Sequence, residues 1–104
     1  MNITIHRRWR IAGAKQTYRL VARVLVHSED GHDYVVKDQK TDFTVKNGET
    51  AEFELPGNTV AFYIKKGPSC SLDLNVPPNA FHVACEVDTK GGILVQPHPV
   101  AKLV

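Results

Sequence analysis

Thr17-Tyr18-Arg19-Leu20-Val21-Ala22-Arg23-Val24-Leu25-Val26-His27 is the stretch that decides the fold. Tyr18, Leu20, Ala22, Val24 and Val26 recur at every second position, which is the period of a strand with one buried face. Val21 and Leu25 interrupt the other face, as expected for a strand in the middle of a sheet with some cover on both sides.

The same alternation recurs on either side of this strand. Further strands are expected at Asn2 to His6, Asp33 to Lys37, Asp42 to Lys46, Thr50 to Leu55, Thr59 to Lys65, Ser69 to Val76, Phe81 to Val87 and Gly92 to Gln96. Turn chemistry separates them, at Ala12-Gly13, Asp30-Gly31, Asn47-Gly48, Pro56-Gly57, Gly67-Pro68, Pro77-Pro78 and Gly91-Gly92. Helical periodicity is almost absent. Short strands at near-regular spacing without helices between them read as an all-β fold, a two-sheet antiparallel β-sandwich of about seven to nine short strands. The chain is read as a single domain over residues 1–96. Residues 97–104, opened by Pro97-His98-Pro99, form an extended C-terminal tail or an edge strand.

Two local pairings follow from register. If the strands around Asn47-Gly48 pair, a Lys46-Asn47-Gly48 loop with Gly48 left-handed puts Phe43, Val45, Ala51, Phe53 and Leu55 on one face. A Pro77 to Ala80 loop would set Leu72 opposite Cys85 and Cys70 opposite Val87, with both cysteines facing the core. Placed diagonally, the two thiols suit a disulfide poorly, so reduced cysteines are expected.

The 104 residues are 42% hydrophobic and 23% charged, ordinary values for a folded domain that argue against disorder and disulfide-dense scaffolds. No stretch approaches the roughly 20 apolar residues of a membrane-spanning helix, and Met1 to Arg10 lack an apolar signal-peptide core. The chain therefore reads as cytoplasmic and without membrane insertion. Net charge is only +2, but it is unevenly spread. Arg7, Arg8, Arg10, Lys15, Arg19 and Arg23 precede the first acid, Glu29, and eight acids then fall between Glu29 and Glu54. Neighbouring strands of opposite charge that pair across a sheet would give this pattern, as would an anion-binding face beside an acidic one.

His6-Arg7-Arg8-Trp9-Arg10 combines guanidinium groups that fork onto phosphates with an indole that stacks on bases. The candidate polyanion-binding set is Arg7, Arg8, Trp9, Arg10, Lys15, Arg19 and Arg23. The competing reading is an edge strand whose Trp9 covers the core and whose arginines are solvated or paired with acids. Arg10 to Lys15 lacks the spacing of a phosphate-binding P-loop. His6, His27, His32, His82 and His98 show no metal-ligand spacing with one another or with the cysteines, so no metal is expected. His82 and Cys85, three positions apart on a strand, point to opposite faces and form no nucleophile–base pair. Nothing calls for a cofactor or marks a catalytic constellation, and the chain is not expected to be an enzyme.

Ile3-x-Ile5 followed by Arg8 and Gly13, then Asn47-Gly48-Glu49, Phe53-Glu54-Leu55-Pro56-Gly57 and alternating Val60, Phe62 and Ile64, resembles small uncharacterised bacterial β-sandwich domains of about 100 residues. These are distantly similar to PEGA-type sandwich repeats. Lys66-Gly67-Pro68 stands where that pattern has a glycine followed by tyrosine. The resemblance implies a fold and carries over no functional residue. The expected function is a non-catalytic binding or protein-interaction module with an unknown protein partner, the alternative being nucleic-acid or other polyanion binding through the basic N-terminal segment.

Overall fold

The computed structural model describes every residue from Met1 to Val104 and is an all-β sandwich of nine strands. They are β1 (Asn2–Arg7), β2 (Tyr18–His27), β3 (Tyr34–Val45), β4 (Thr50–Glu54), β5 (Thr59–Lys66), β6 (Ser69–Cys70), β7 (Leu74–Asn75), β8 (His82–Lys90) and β9 (His98–Leu103). The first sheet runs β4-β1-β8-β9. The second runs β3-β2-β5-β6, with β7 also paired to β5. β1 and β8 are parallel, so the first sheet is mixed where an antiparallel one was expected.

β2 lies between β3 and β5, the central position that its two-sided apolar pattern anticipates. Tyr18, Leu20, Ala22 and Val24 are buried, and Val21 is buried on the outer face as well. They meet Phe62 and Ile64 of β5, Ile3 and Ile5 of β1, and Val83, Cys85 and Val87 of β8 in one core. Burial of each large aliphatic or aromatic side chain here contributes roughly 1.5–3 kcal/mol.

Several expected elements take other positions. Residues 34–45 form one strand, not two, because an edge strand needs only one paired side and tolerates the polar run Asp38 to Thr41. β3 and β4 do not form a hairpin. Gly48 is left-handed, with φ of 76°, but the chain crosses there from one sheet to the other and β4 pairs with β1. Phe43 and Phe53 still meet, stacked at 4.6 Å between the sheets. Ser69 to Val76 is broken into the short β6 and β7, which pair with β5. β8 pairs with β1 and β9, leaving Cys70 exposed and Cys85 buried, both free thiols. Gly92 to Gln96 is a loop where a strand was expected, and the C-terminal segment takes the edge-strand reading of residues 97–104, with His98–Leu103 paired to β8.

The strand directions place two sets of loops at opposite ends of the sandwich. Residues 8–17, 46–49, 67–68 and 91–97 share one end, and residues 28–33, 55–58 and 76–81 share the other. The first end carries Arg8, Arg10, Lys15, Lys46 and, at the ends of their strands, Lys66 and Lys90. That end also holds Glu49 and, near the end of β8, Asp88, which Arg10 binds; the second end carries Glu29, Asp30, Asp33 and, at the end of β4, Glu54, which the Met1 ammonium pairs at 3.0 Å. The charge asymmetry of the sequence thus becomes a polarity along the strands.

Candidate functional site

Arg7 is the inward-facing residue after Ile3 and Ile5 on β1, and alternation drives it into the sandwich with no exposed surface. Its guanidinium donates to the carbonyls of Gln16 at 2.6 Å, Val45 at 3.0 Å and Gly13 at 3.0 Å, and lies 3.8 Å from the centre of the Tyr18 ring. Burial pulls its pKa down, partly offset by Tyr18. Tyr18 in turn hydrogen-bonds Thr89 at 2.8 Å. Arg7 therefore ties the loop after β1 to β3 and is unavailable to a ligand, which corrects its place in the polyanion set.

Beyond Arg7 the chain leaves the sheet. β1 is a central strand, not the edge strand of the competing reading, and Trp9 does not cover the core. The indole, 62% exposed, lies over Gly48, where an added Cβ would come within 3.3 Å of it. Arg10 and Asn47 exchange hydrogen bonds, the Arg10 N–H to the Asn47 Oδ1 and the Asn47 amide to the Arg10 carbonyl, both at 3.0 Å. The Arg10 side chain forks onto Asp88 at 2.8 and 3.0 Å and holds that carboxyl well below the ordinary range, at about 2. Arg8 and Lys15 remain exposed, Arg8 on a shallow cleft with Glu86, Asp88, Lys90 and Lys102.

Arg19 and Arg23 project from the outer face of the second sheet. Arg23 opposes Asp38 across the β2–β3 ladder, lies 3.3 Å from its carboxylate, and donates to Asp73 at 2.6 Å. This is the pairing between basic and acidic strands that the charge pattern suggested. Tyr63 donates to the other Asp38 oxygen at 2.9 Å, and its own pKa is pushed up to about 12 by burial and that hydrogen bond.

Arg19 is placed differently. It sits directly opposite Lys65 across the β2–β5 ladder, a like-charge pair that costs stability in an empty sheet. Lys40 reaches the same place from β3, and Lys66 from the end of β5. Together with Thr17, Val21, Asp38, Tyr63 and Gly67 they line a depression of about 400 Å3. Asp42, 3.7 Å from Arg19 and fully exposed, is the acid that balances part of this charge. Lys40, Lys65 and Lys66 have no carboxylate within ion-pair reach, and Asp38 is already bonded to Arg23 and Tyr63. The depression is cationic around a floor of Val21 and a wall of Tyr63.

The structure brings Arg19 and Arg23 together on this face and leaves Arg7, Arg8, Trp9, Arg10 and Lys15 away from it. Lys40, Lys65 and Lys66 escaped the sequence reading because only the order β3-β2-β5 makes them neighbours. The signal available was Lys65-Lys66-Gly67, a basic pair closing a strand.

No catalytic pair forms around the buried thiol. Burial pushes Cys85 up to about 12, and His82 lies on the exposed face of β8, 2.7 Å from the Thr4 hydroxyl. No cluster of three or more His, Cys, Asp or Glu side chains is placed to hold a metal ion.

No family model matches the chain. No curated protein matches either. Among solved structures the chain is similar to wild-type pneumolysin, at 14% identity and a TM-score of 0.47, over 99% of this chain and 23% of that one. Listeriolysin O gives 14% identity and a TM-score of 0.47 over 99% of this chain and 22% of that one. The membrane-binding domain of pneumolysin gives 15% and 0.47 over 99% of this chain and 96% of that one. The chain thus spans under a quarter of the whole proteins. The likeness is loose, and no residue role is carried over from it.

Proposed function

We propose that the protein is a non-catalytic binding module that takes an anionic polymer or surface on the outer face of its second sheet. The observation that carries this reading is the Arg19–Lys65 cross-strand pair, with Lys40 and Lys66 converging on the same depression. Four cations held on three neighbouring strands repel one another when the site is empty, and an anion between them relieves that repulsion. The site presents charge on a fixed sheet without a nucleophile–base pair, which suits recognition and not turnover.

The test is a titration with inorganic polyphosphate and with a short single-stranded oligonucleotide at several salt concentrations. With about four phosphate contacts, the logarithm of affinity for the oligonucleotide is expected to fall against the logarithm of salt with a slope near −3. In the triple variant K40Q/K65Q/K66Q the slope flattens by about two, and affinity for both probes falls. Absence of binding at low salt, or binding that the triple variant leaves intact, would overturn the reading.

A further inference from the structure

The loop between β8 and β9 holds a run of aliphatic side chains away from the protein. Ile93 is 98% exposed and Leu94 is 96% exposed, with Val95 also exposed beside them. The loop is a built turn. The Gly92 N–H donates to the Val95 carbonyl at 2.6 Å, and Gly91 and Gly92 have φ of 87° and 119°, conformations that side chains disfavour. A Cβ on Gly91 would come within 2.8 Å of the Gln96 carbonyl. Gly92 packs against Ala12, so this loop leans on the loop after β1, where Ile11 is 81% exposed.

The surroundings of this apolar tip are basic. Arg8, Lys15, Lys46 and Lys90 are exposed at the same end of the sandwich, and Lys66 and Arg19 lie on the adjoining part of the second sheet. The acids there are largely engaged. Asp88 is held by Arg10 and lies 4.0 Å from Lys90, the Glu49 carboxylate accepts from the Lys46 backbone N–H at 3.0 Å, Asp42 lies 3.7 Å from Arg19, and Glu86 shares a cleft with Arg8. Trp9, half out of the protein over Gly48, adds an amphipathic ring at this end.

We propose that this end docks on an anionic phospholipid surface, with Ile93 and Leu94 entering the boundary between headgroups and acyl chains. The proposal rests on the anionic-partner reading above and names the partner. A convex tip of two to three aliphatic side chains offers far less area than the roughly 800 Å2 a stable protein interface takes from each partner. A fluid bilayer closes around such a protrusion, and surrounding lysines and arginines gain from anionic headgroups. The far end carries Glu29, Asp30 and Asp33, with Glu54 offset by the Met1 ammonium, and turning that acidic end toward the same surface is disfavoured.

The experiment is co-sedimentation of the full chain with vesicles of phosphatidylcholine alone and of phosphatidylcholine mixed with phosphatidylserine, alongside the polyphosphate titration. The wild type is expected to bind the mixed vesicles at least about tenfold more tightly than the neutral ones. The double variant I93S/L94S, whose changes lie on an exposed loop and leave the core intact, loses about tenfold or more on mixed vesicles and keeps its polyphosphate affinity. Polyphosphate binding without vesicle binding would overturn the lipid proposal and leave the anionic reading standing. Failure to bind either probe would remove both. Equal binding to neutral and mixed vesicles, an I93S/L94S variant that binds mixed vesicles like the wild type, or self-association lost in that variant without vesicle binding would each overturn the lipid docking, the last by assigning the tip to a second copy of the chain.

Discussion

Arg7 and Arg19 lie twelve positions apart in one basic stretch, and the fold treats their charges in opposite ways. Arg7 is enclosed, with three carbonyls and an aromatic ring arranged around it. Arg19 is set on an open sheet face opposite Lys65, beside Lys40 and Lys66, donating to the Thr41 carbonyl at 2.9 Å and with a single exposed carboxylate at 3.7 Å. The first arrangement spends a cation on architecture, and the second leaves several cations short of partners. A count of basic residues cannot separate these cases; the face on which each residue falls does.

The largest effect is expected from removing the enclosed charge. Arg7→Met leaves the carbonyls of Gly13, Gln16 and Val45 without their donor, which should lower unfolding free energy by about 3 kcal/mol or more. Urea denaturation measures this, and a loss below about 1 kcal/mol would show that the socket is not structural. The next effect is the pH dependence of Asp88. Its carboxyl sits at about 2 in the folded protein against roughly 3.9 in the unfolded chain, so its contribution is complete above about pH 5 and is lost progressively as pH falls through 2. With the partner Arg10 partly exposed, the loss amounts to about 1–2 kcal/mol, and Asp88→Asn should flatten stability across that window.

Gly48→Ala puts a Cβ on a left-handed residue and against Trp9, and should cost about 1 kcal/mol while shifting the tryptophan emission. The smallest effect belongs to the open face. Lys65→Gln removes a like-charge neighbour of Arg19 and should raise stability by a few tenths of a kcal/mol at low salt, an increment that salt erases. A clear loss of stability in that variant would mean that the cations on this face are structural, as Arg7 is.

The strands were legible wherever one face is buried. Tyr18 to Val26 and Ile3-x-Ile5 announce their faces, and both strands are central in their sheets. Sheet membership was not legible at Asn47-Gly48, because left-handed Gly48 reverses the chain equally well within a sheet or across a sandwich. Ile93, Leu94 and Val95 have the composition of a strand, but the left-handed glycines before them close a turn instead. The enclosed arginine had a signal: Arg7 follows Ile3 and Ile5 at the same period. The cationic face had almost none, since Arg19, Lys40 and Lys65 come from three separate strands and only the pairing of β2 with both neighbours gathers them.

The most direct test of the open face is to map amide chemical shifts of the labelled protein during a polyphosphate titration at low salt. Binding in the cationic depression concentrates the shifts at Thr17, Arg19, Lys40 and Lys65 to Gly67, reverses them with salt, and leaves Glu29 to Asp33 unmoved. Shifts confined to other surfaces, or none at all at concentrations that saturate a basic groove, would contradict it.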